Sequence, residues 1–346
     1  MPRIPKIIHC VWVGGGNLRK YKGYEGIQSW KNYAPDYNII LWTDPTRLMA
    51  ALIMRLINKY RQVNRLYLEA QYVQGKGSRL DGLRWDDHRW AAFLNSLIAN
   101  ENVSKEIKQM IERDWDSGVE NYNEMLADME QMGVVVRDLN SLQALPAWAY
   151  NVEMATRGIN FAGASDIVRY AALVQDGGVY IDVDLQLQKR LGQLSIPDQP
   201  WCDLLVGILP SLGSRPKVNK DDNTIFARMT NGAFANSEPY ITNALLATIP
   251  GGRAIRDINL SIQEVYDRIL PQDPTVKPQS ITIQKYWYSV PTKSTLDITG
   301  PNLVRDVLLG RFVNINDFIT FSRERLSFSL KGLGTVKDLY EKQFRN

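Results

Sequence analysis

Cysteine and histidine are scarce in this chain of 346 residues, which contains two of each. Cys10 and Cys202 do not provide the disulfide framework that holds small secreted domains together. His9 and His88 are too few for an ordinary zinc centre. The sequence therefore argues against a fold stabilised by disulfide bonds or by zinc.

Long apolar runs and a strong net charge are also lacking. No run of eighteen apolar residues is present, so we expect no membrane-spanning helix, and no signal-peptide pattern is visible. The formal net charge of +4 gives no case for nucleic-acid binding, although it would suit an acidic partner or a nucleotide donor. An apolar content of 45% in a chain of this length can form a large core, in one big α/β domain or two.

The most informative motif is the acidic pair Asp182 and Asp184 after the apolar run 179–181. If this segment is extended, alternate side chains share a face, and both carboxylates point the same way. Two like charges on one face repel unless a cation or hydrogen-bond donors lie between them. Oxygen ligands suit Mg or Mn, so the pair is predicted to hold a metal that binds a diphosphate.

The residues before this pair predict a helix followed by a buried strand. Ser165 is a candidate N-cap for a helix that runs to about Gln175, and Gly177-Gly178 ends it. Asp166 and Arg169 are three residues apart and so lie on one helix face. In open α/β sheets, ligands bind at the carboxyl ends of the strands, where the acidic pair lies.

The beginning of the chain resembles half of a Rossmann-like nucleotide-binding sheet. Residues 4–13 are apolar and β-branched and end at a glycine turn, 14–16, which lets the backbone approach a ligand closely. A helix is expected over 24–34 and a second strand over 37–42. This spacing predicts an α/β fold.

Further elements are expected along the rest of the chain. Residues 46–130 predict a helical insertion, in which Trp85, Trp90 and Trp115 are core residues rather than ligand platforms. A helix is expected to begin at Ser237-Glu238-Pro239. The other expected elements are strands at 132–138, 201–209, 225–234 and 313–321, a linker or short helix at 141–150, and helices at 254–270 and from 302.

The motifs S-D-[IL]-x-R-x-x-x-L and G-G-x-Y-x-D-x-D, at 165–173 and 177–184, occur together in sugar-nucleotide-dependent glycosyltransferases. On these residues and on 5–15, the chain resembles the D-x-D glycosyltransferase domains of bacterial toxins, namely the clostridial glucosylating toxins and the Photorhabdus toxin PaTox. The resemblance implies a single GT-A domain over residues 1–346, with the helical insertion inside it. It also implies a UDP-sugar donor, Mn or Mg, and retaining transfer to a hydroxyl of a Rho- or Ras-type GTPase of the host.

The resemblance assigns roles to residues at the donor site. It implies that Val11, Trp12, Val13 and Gly14 form the first strand and turn, with the tryptophan stacked on uracil; the alternative is a core tryptophan. Ser165, Asp166 and Arg169 would hold the sugar hydroxyls and the phosphate or ribose. The resemblance also places Tyr180 beside the donor, and the alternative is that Tyr180 only packs in its strand. Asp182 would contact the ribose and a metal-bound water, and Asp184 would bind the metal. Asn231 would lie at the reaction centre.

The donor sugar is expected to be N-acetylglucosamine, from UDP-GlcNAc rather than UDP-glucose. Asn231 is flanked by Thr230 and Gly232, where the glucose-using toxins have the bulkier Ile and Gln, so room remains for an acetamido group. The alternative is that Gly232 serves a turn. The family's late Glu-x-x-Ser-x-Trp loop corresponds to residues 324–329, which places Ser327 at the diphosphate but has Ser329 in place of the tryptophan.

Three functions remain open from the sequence. The first is a toxin glycosyltransferase, secreted as part of a larger protein and acting as a monomer on a GTPase in the host cytosol. The second is a D-x-D transferase of glycan or glycolipid synthesis, which would act on small saccharide acceptors. The third is a catalytically silent module, which would bind UDP without hydrolysing a donor.

Overall fold

The computed structural model describes residues 2–14, 18–19, 23–72, 87–155, 160–187, 189–196, 203–209, 240–269, 299–301, 303–304, 307 and 330–332. The strands are β1 Ile7–Val11, β2 Asn38–Thr43, β3 Val135–Asp138, β4 Gly178–Ile181, β5 Leu185–Leu187, β6 Leu204–Leu209, β7 Tyr240–Thr248 and β8 Leu330–Gly332. The helices are α1 Gly23–Tyr33, α2 Leu48–Lys59, α3 Arg61–Tyr72, α4 Asp87–Ala99, α5 Lys105–Gln131, α6 Ala147–Ala155, α7 Phe161–Asp176 and α8 Arg253–Ile269.

In this part of the chain six strands form one mixed sheet in the order β3-β2-β1-β4-β7-β6. The first four of these strands are parallel neighbours, whereas β7 runs antiparallel to both β4 and β6. The pairing of β1 with β4 sets Ile8 beside Val179 and His9 beside Tyr180. The carboxyl end of β1 therefore lies next to the carboxyl end of β4, which brings the two halves of the predicted nucleotide site together.

The central strands of the sheet are buried on both faces because they are made of apolar and β-branched residues, whereas the edge strand β3 is partly exposed. One core lies between the sheet and α6, α7 and α8, and a second lies between the sheet and α1. A third, smaller core joins α2 to α4 and α5 and contains Trp90, which is 2% exposed. Trp90 is thus a core residue as predicted, while Trp115 is partly buried and Trp85 lies outside the described residues.

The predicted insertion coincides with four consecutive helices, α2 to α5. The short helix expected as one alternative near Pro146 is present as α6. The division of residues 1–346 into one domain with an inserted helical segment stays a prediction. No helix among the described residues has both the length and the apolar content needed to cross a membrane.

The start of α7 differs from the prediction. The helix begins at Phe161, and its N-cap is Asn160, whose side chain accepts a hydrogen bond from the Gly163 backbone at 3.1 Å. Ser165 therefore lies within the helix rather than at its cap. The predicted end is confirmed, because Gly177 follows α7 with a φ of +62°, a conformation that glycine adopts readily.

Two further expectations are corrected. The segment after Ser237-Glu238-Pro239 is not a helix, since Tyr240–Thr248 forms the central strand β7. The acidic pair is not in an extended strand, because β4 ends at Ile181 and residues 182–184 form the turn to β5. The period-two argument therefore does not apply to this pair. The expected strands at 225–234 and 313–321 lie outside the described residues.

Candidate donor and metal site

Arg169 lies buried at the centre of the site, on α7. Its Nη2 is 2.9 Å from Asp166 Oδ1 and 3.2 Å from Asp182 Oδ1, and its Nη1 donates to the carbonyl oxygen of Asn243 at 2.7 Å. Burial disfavours the charged guanidinium, but the carboxylates of Asp182 and Asp166 outweigh this and raise the pKa of Arg169. The guanidinium thus joins α7, β7 and the acidic turn.

Asp166 is also surrounded by hydrogen-bond donors. Its carboxylate accepts from Asn243 Nδ2 at 2.9 Å and from Thr299 Oγ1 at 3.1 Å, in addition to Arg169. Tyr170 completes the network, because its hydroxyl accepts from Asn243 and donates to the Thr299 carbonyl. Burial raises the pKa of Asp166 to about 7, while the charge of Arg169 acts in the opposite direction.

Tyr180 is buried against the network formed by Asp166 and Arg169 and does not lie at an open surface. Its ring is 2% exposed, and the Arg169 guanidinium lies 4.3 Å from the ring centroid. Its hydroxyl donates to Asp182 Oδ1 at 2.6 Å. Tyr180 therefore supports Arg169 by a cation–π contact and holds the Asp182 carboxylate in place.

The acidic turn lies where the network meets solvent. The side chain of Asp182 is 31% exposed, whereas those of Asp166 and Arg169 are 8% and 6% exposed. The backbone of Asp182 is fixed by two hydrogen bonds, from its N–H to the Ala244 carbonyl and from the Leu185 N–H to its own carbonyl, both at 2.9 Å. Asp184 is partly buried in the same turn.

The donor set of the turn fits a hard divalent ion, since Asp182 and Asp184 offer carboxylate oxygens. Among the described residues, no group of three or more His, Cys, Asp or Glu side chains is placed to hold a metal ion. The two carboxylates would therefore supply part of a coordination shell, and oxygens of a diphosphate are suited to the remainder.

The end of β1 presents a mixture of buried and accessible groups. Val11 and Val13 are 4% and 5% exposed and lie in the core, and Gly14 packs against the ring of Phe161. Little of either valine is thus accessible to a ligand. Trp12 is partly buried, and its N–H donates to the Trp42 carbonyl at 2.9 Å. Ser165 is also partly buried, one residue before Asp166.

Two predicted site residues, Asn231 and Ser327, lie outside the described residues. The asparagine that the structure places beside Asp166 and Arg169 is Asn243, which the sequence reasoning missed because it took this segment for a helix. Thr299 and Tyr170 were missed as well. Their signals were available, since Tyr170 follows Arg169 directly and Thr299 opens the Thr-Gly-Pro-Asn turn.

Comparison with known proteins agrees with the geometry. The model of the family described as the TcdA/TcdB catalytic glycosyltransferase domain matches residues 6–196, which is more than half of the chain. Cytotoxin-L of Paraclostridium sordellii is 24% identical over 201 residues, and Toxin B of Clostridioides difficile is 23% identical over 199 residues. Each match covers 53% of this chain and 8% of the toxin, so the chain spans a small part of these relatives.

A solved structure, the ligand-free glycosyltransferase domain of the YGT toxin, superposes with a TM-score of 0.56 and 18% sequence identity. The superposition covers 90% of this chain and 78% of the YGT toxin domain. This likeness confirms the predicted GT-A fold. Together with the family match it confirms the resemblance to toxin glycosyltransferases: the chain is a glycosyltransferase domain of the TcdA/TcdB catalytic family.

Proposed function

We propose that this domain transfers a sugar from a UDP-sugar, with retention of configuration, to a threonine or tyrosine hydroxyl of a host Rho-family GTPase. The proposed donor is UDP-GlcNAc, and the proposed metal is Mn or Mg. We further propose that the domain is a monomer, that it is secreted as part of a larger toxin and that it acts in the host cytosol.

The observation that carries this proposal is the ion pair between Arg169 and Asp182 at the carboxyl end of β4, 3.2 Å apart. It joins a buried cation to an acid that solvent can reach, next to the end of β1. The Nε of Arg169 is buried and has no hydrogen-bond partner among the described residues. A buried N–H left without a hydrogen bond costs about 1–3 kcal/mol, so we assign an oxygen of the UDP-sugar as its partner.

The proposed roles follow from position. Asp184 would bind the metal, and Asp182 would contact the ribose and a metal-bound water. Bound there, the metal would act as a Lewis acid that stabilises the negative charge of the leaving UDP. Asp166 and Tyr180 orient Arg169 and Asp182 through the hydrogen bonds and ion pair described above, which supports a positioning role for them.

Retention is what the family resemblance implies, and the engagement of these carboxylates favours front-face transfer over a covalent glycosyl-enzyme intermediate. Asp166 accepts three hydrogen bonds from buried donors, and Asp182 accepts from Tyr180 and Arg169. Neither is therefore a ready nucleophile toward the sugar. We infer front-face transfer, in which the leaving diphosphate helps to deprotonate the acceptor hydroxyl.

The first prediction concerns the acidic turn. Asp182→Asn together with Asp184→Asn should lower metal-stimulated hydrolysis of UDP-GlcNAc by more than about a hundredfold, since even outer-shell partners of metal ligands are worth about 10–100-fold. The fold should persist, because asparagine keeps the size of the side chain. Hydrolysis is followed by UDP release, with and without a chelator.

The matched control is Asp176→Asn, an acid at the far end of α7 that pairs with Arg137 at 3.3 Å on the surface. It should hydrolyse the donor like the wild type. Full activity of the double variant, or full activity in excess chelator, would contradict the metal role.

The acceptor is tested by incubating a host-cell lysate with labelled UDP-GlcNAc and identifying the labelled product by mass spectrometry. A labelled hydroxyl of a Rho-family GTPase supports the proposal. A labelled glycan or lipid would favour glycan or glycolipid synthesis instead, and UDP binding without hydrolysis or transfer would indicate a silent module.

A further inference from the structure

The acidic turn is supported on one side by β7 and on the other side by α1. On the β7 side the Asp182 N–H donates to the Ala244 carbonyl at 2.9 Å. On the α1 side the backbone of residues 183–187 lies directly on the helix, in the core that also contains Ile27 and Trp30. The turn that carries both predicted donor-site carboxylates is thus held between two elements.

Gly26 sets how closely α1 approaches the turn. A Cβ at this position would overlap the carbonyl oxygen of Val183, the middle residue of the turn, and would lie 3.1 Å from the Leu185 carbonyl oxygen. Gly26 is buried within a regular helix, so its lack of a side chain serves close approach rather than an unusual dihedral angle. Because the neighbouring atoms are backbone, an added methyl group would displace the turn or the helix.

Two side chains on the same face of α1 hold the backbone that follows the turn. Trp30, 0% exposed, donates its indole N–H to the Leu185 carbonyl at 2.9 Å. The hydroxyl of Ser29 accepts from the Leu187 N–H at 2.9 Å and donates to the Gly26 carbonyl at 2.6 Å. Gly26, Ser29 and Trp30 are spaced i, i+3 and i+4, and so they form one surface of the helix.

We propose that this surface of α1 is a positioning element for the donor-site acids: it fixes the backbone of residues 183–187 and thereby sets where Asp182 and Asp184 lie. Gly26, Ser29 and Trp30 are positioning residues that act on the backbone of the turn. The inference rests on the proposed function, since it assigns them to the metal and donor site. It gives a role to the Ser29 hydroxyl and the Trp30 indole N–H, which bond to the backbone of Leu187 and Leu185.

The test compares Gly26→Ala with Gly118→Ala. Gly118 is also a buried helical glycine, but a Cβ there would overlap the side chain of Leu52 in α2 rather than the backbone of the acidic turn. Gly26→Ala should lower kcat/KM for UDP-GlcNAc hydrolysis by about a hundredfold, the effect expected of a displacement of about 1 Å. The Mn²⁺ concentration for half-saturation, measured by electron paramagnetic resonance with UDP present, should rise by about 10–100-fold.

Trp30→Phe is the second variant, which removes the indole N–H and keeps an aromatic ring in the core. It should raise the Mn²⁺ half-saturation concentration by about tenfold. Amide hydrogen exchange is measured without metal, and each variant is compared with Gly118→Ala under conditions in which both have lost the same amount of melting temperature. In Gly26→Ala and in Trp30→Phe, exchange in residues 182–187 should be faster than in Gly118→Ala. If Gly26→Ala does not fold, Trp30→Phe decides the question alone.

The outcomes separate this inference from the proposed function. If the wild type binds neither Mn²⁺ nor UDP, the proposed function fails and the inference fails with it. If the wild type is active but both variants match Gly118→Ala in metal affinity and in exchange of residues 182–187, α1 is merely structural and only the inference is overturned.

Discussion

Trp12, like Trp115 and Trp148, is only partly buried. Trp30, Trp42 and Trp90 are fully buried, whereas Trp12 is partly buried and follows the last residue of β1. Its backbone N–H donates a hydrogen bond to the Trp42 carbonyl of β2. A partly buried ring on a backbone fixed in this way is compatible with stacking on a nucleotide base.

Trp12→Ala should weaken UDP binding by about 1–3 kcal/mol, the usual value of an aromatic stacking contact with a base. Titration calorimetry with UDP measures the change. Trp90→Phe is the control, because it alters the helical core and should lower the melting temperature without changing UDP affinity. Unchanged affinity of Trp12→Ala with a lower melting temperature would make Trp12 a core residue.

At the scale of elements, β7 brings Asn243 into the site, and its type was predicted wrongly. Residues 240–248 are Ile-, Leu- and Ala-rich, and the strand lies between β4 and β6 with both faces covered. A strand buried on both faces has no alternating pattern, so the same residues are compatible with a helix. Its antiparallel direction carries Asn243 back to Asp166, 77 residues earlier in the chain.

This strand changes how the donor preference is tested. The resemblance places a sugar-facing asparagine between two residues that are small in enzymes that accept N-acetylglucosamine. Asn231 has Thr230 and Gly232 as neighbours, and Asn243 has Thr242 and Ala244, so both candidates leave room. The proximity of Asn243 to Asp166 and Arg169 makes Thr242 and Ala244 the pair we expect to matter.

The wild type should hydrolyse UDP-GlcNAc faster than UDP-glucose. Thr242→Ile with Ala244→Gln should reduce UDP-GlcNAc hydrolysis about ten- to a hundredfold relative to UDP-glucose, since an overpacked contact costs about 1–3 kcal/mol. The comparison variant is Thr230→Ile with Gly232→Gln, and a shift in that variant alone would assign the role to Asn231. Preference of the wild type for UDP-glucose, or no shift in either variant, would refute this account of the pocket.

At the scale of the whole molecule, a buried histidine links three parts of the sheet. His9 Nδ1 accepts from the Trp42 indole N–H at 3.0 Å, and its Nε2 lies 2.8 Å from the Gly177 carbonyl oxygen. Because an indole only donates and a carbonyl only accepts, the ring is neutral and protonated on Nε2. Burial lowers the pKa of His9 to about 4.

The unfolded chain therefore binds a proton at His9 between about pH 6.5 and 4 that the folded chain does not bind. The stability contributed by neutral His9 should be complete above pH 6.5 and should decrease as the pH falls toward 4. The expected loss is about 2 kcal/mol between pH 7 and pH 5. Urea unfolding of the wild type and of His9→Gln at both pH values isolates this contribution, because the other titrating groups are common to both proteins.

Burial also raises the pKa of Asp166 and of Glu153, each to about 7. These two shifts make the folded protein more stable as the pH falls, which is opposite to the effect of His9. The difference between the two proteins, rather than the total stability of either, is therefore the quantity to compare. An equal pH dependence of the wild type and His9→Gln would show that the folded state accepts the proton at His9.

The sequence by itself determined the local features of this protein. The spacing of Asp166 and Arg169 predicted their contact on one helix face, which is confirmed at 2.9 Å, because helical geometry brings residues three apart together. The double glycine predicted the end of α7, and the apolar runs predicted β1 and β2. The two joined motifs indicated the glycosyltransferase family that the comparison confirms.

Only the tertiary structure decided which distant residues meet. That Arg169 reaches Asp182, that Asn243 rather than another asparagine lies beside Asp166, and that Gly26 lies against Val183 all depend on the order and direction of strands and helices. The acidic pair lies in a turn because β4 stops at Ile181, and the end of the apolar run at this residue did not show whether the strand continues through the acids. Contacts between residues far apart in sequence are set by packing of whole elements, and no local propensity specifies them.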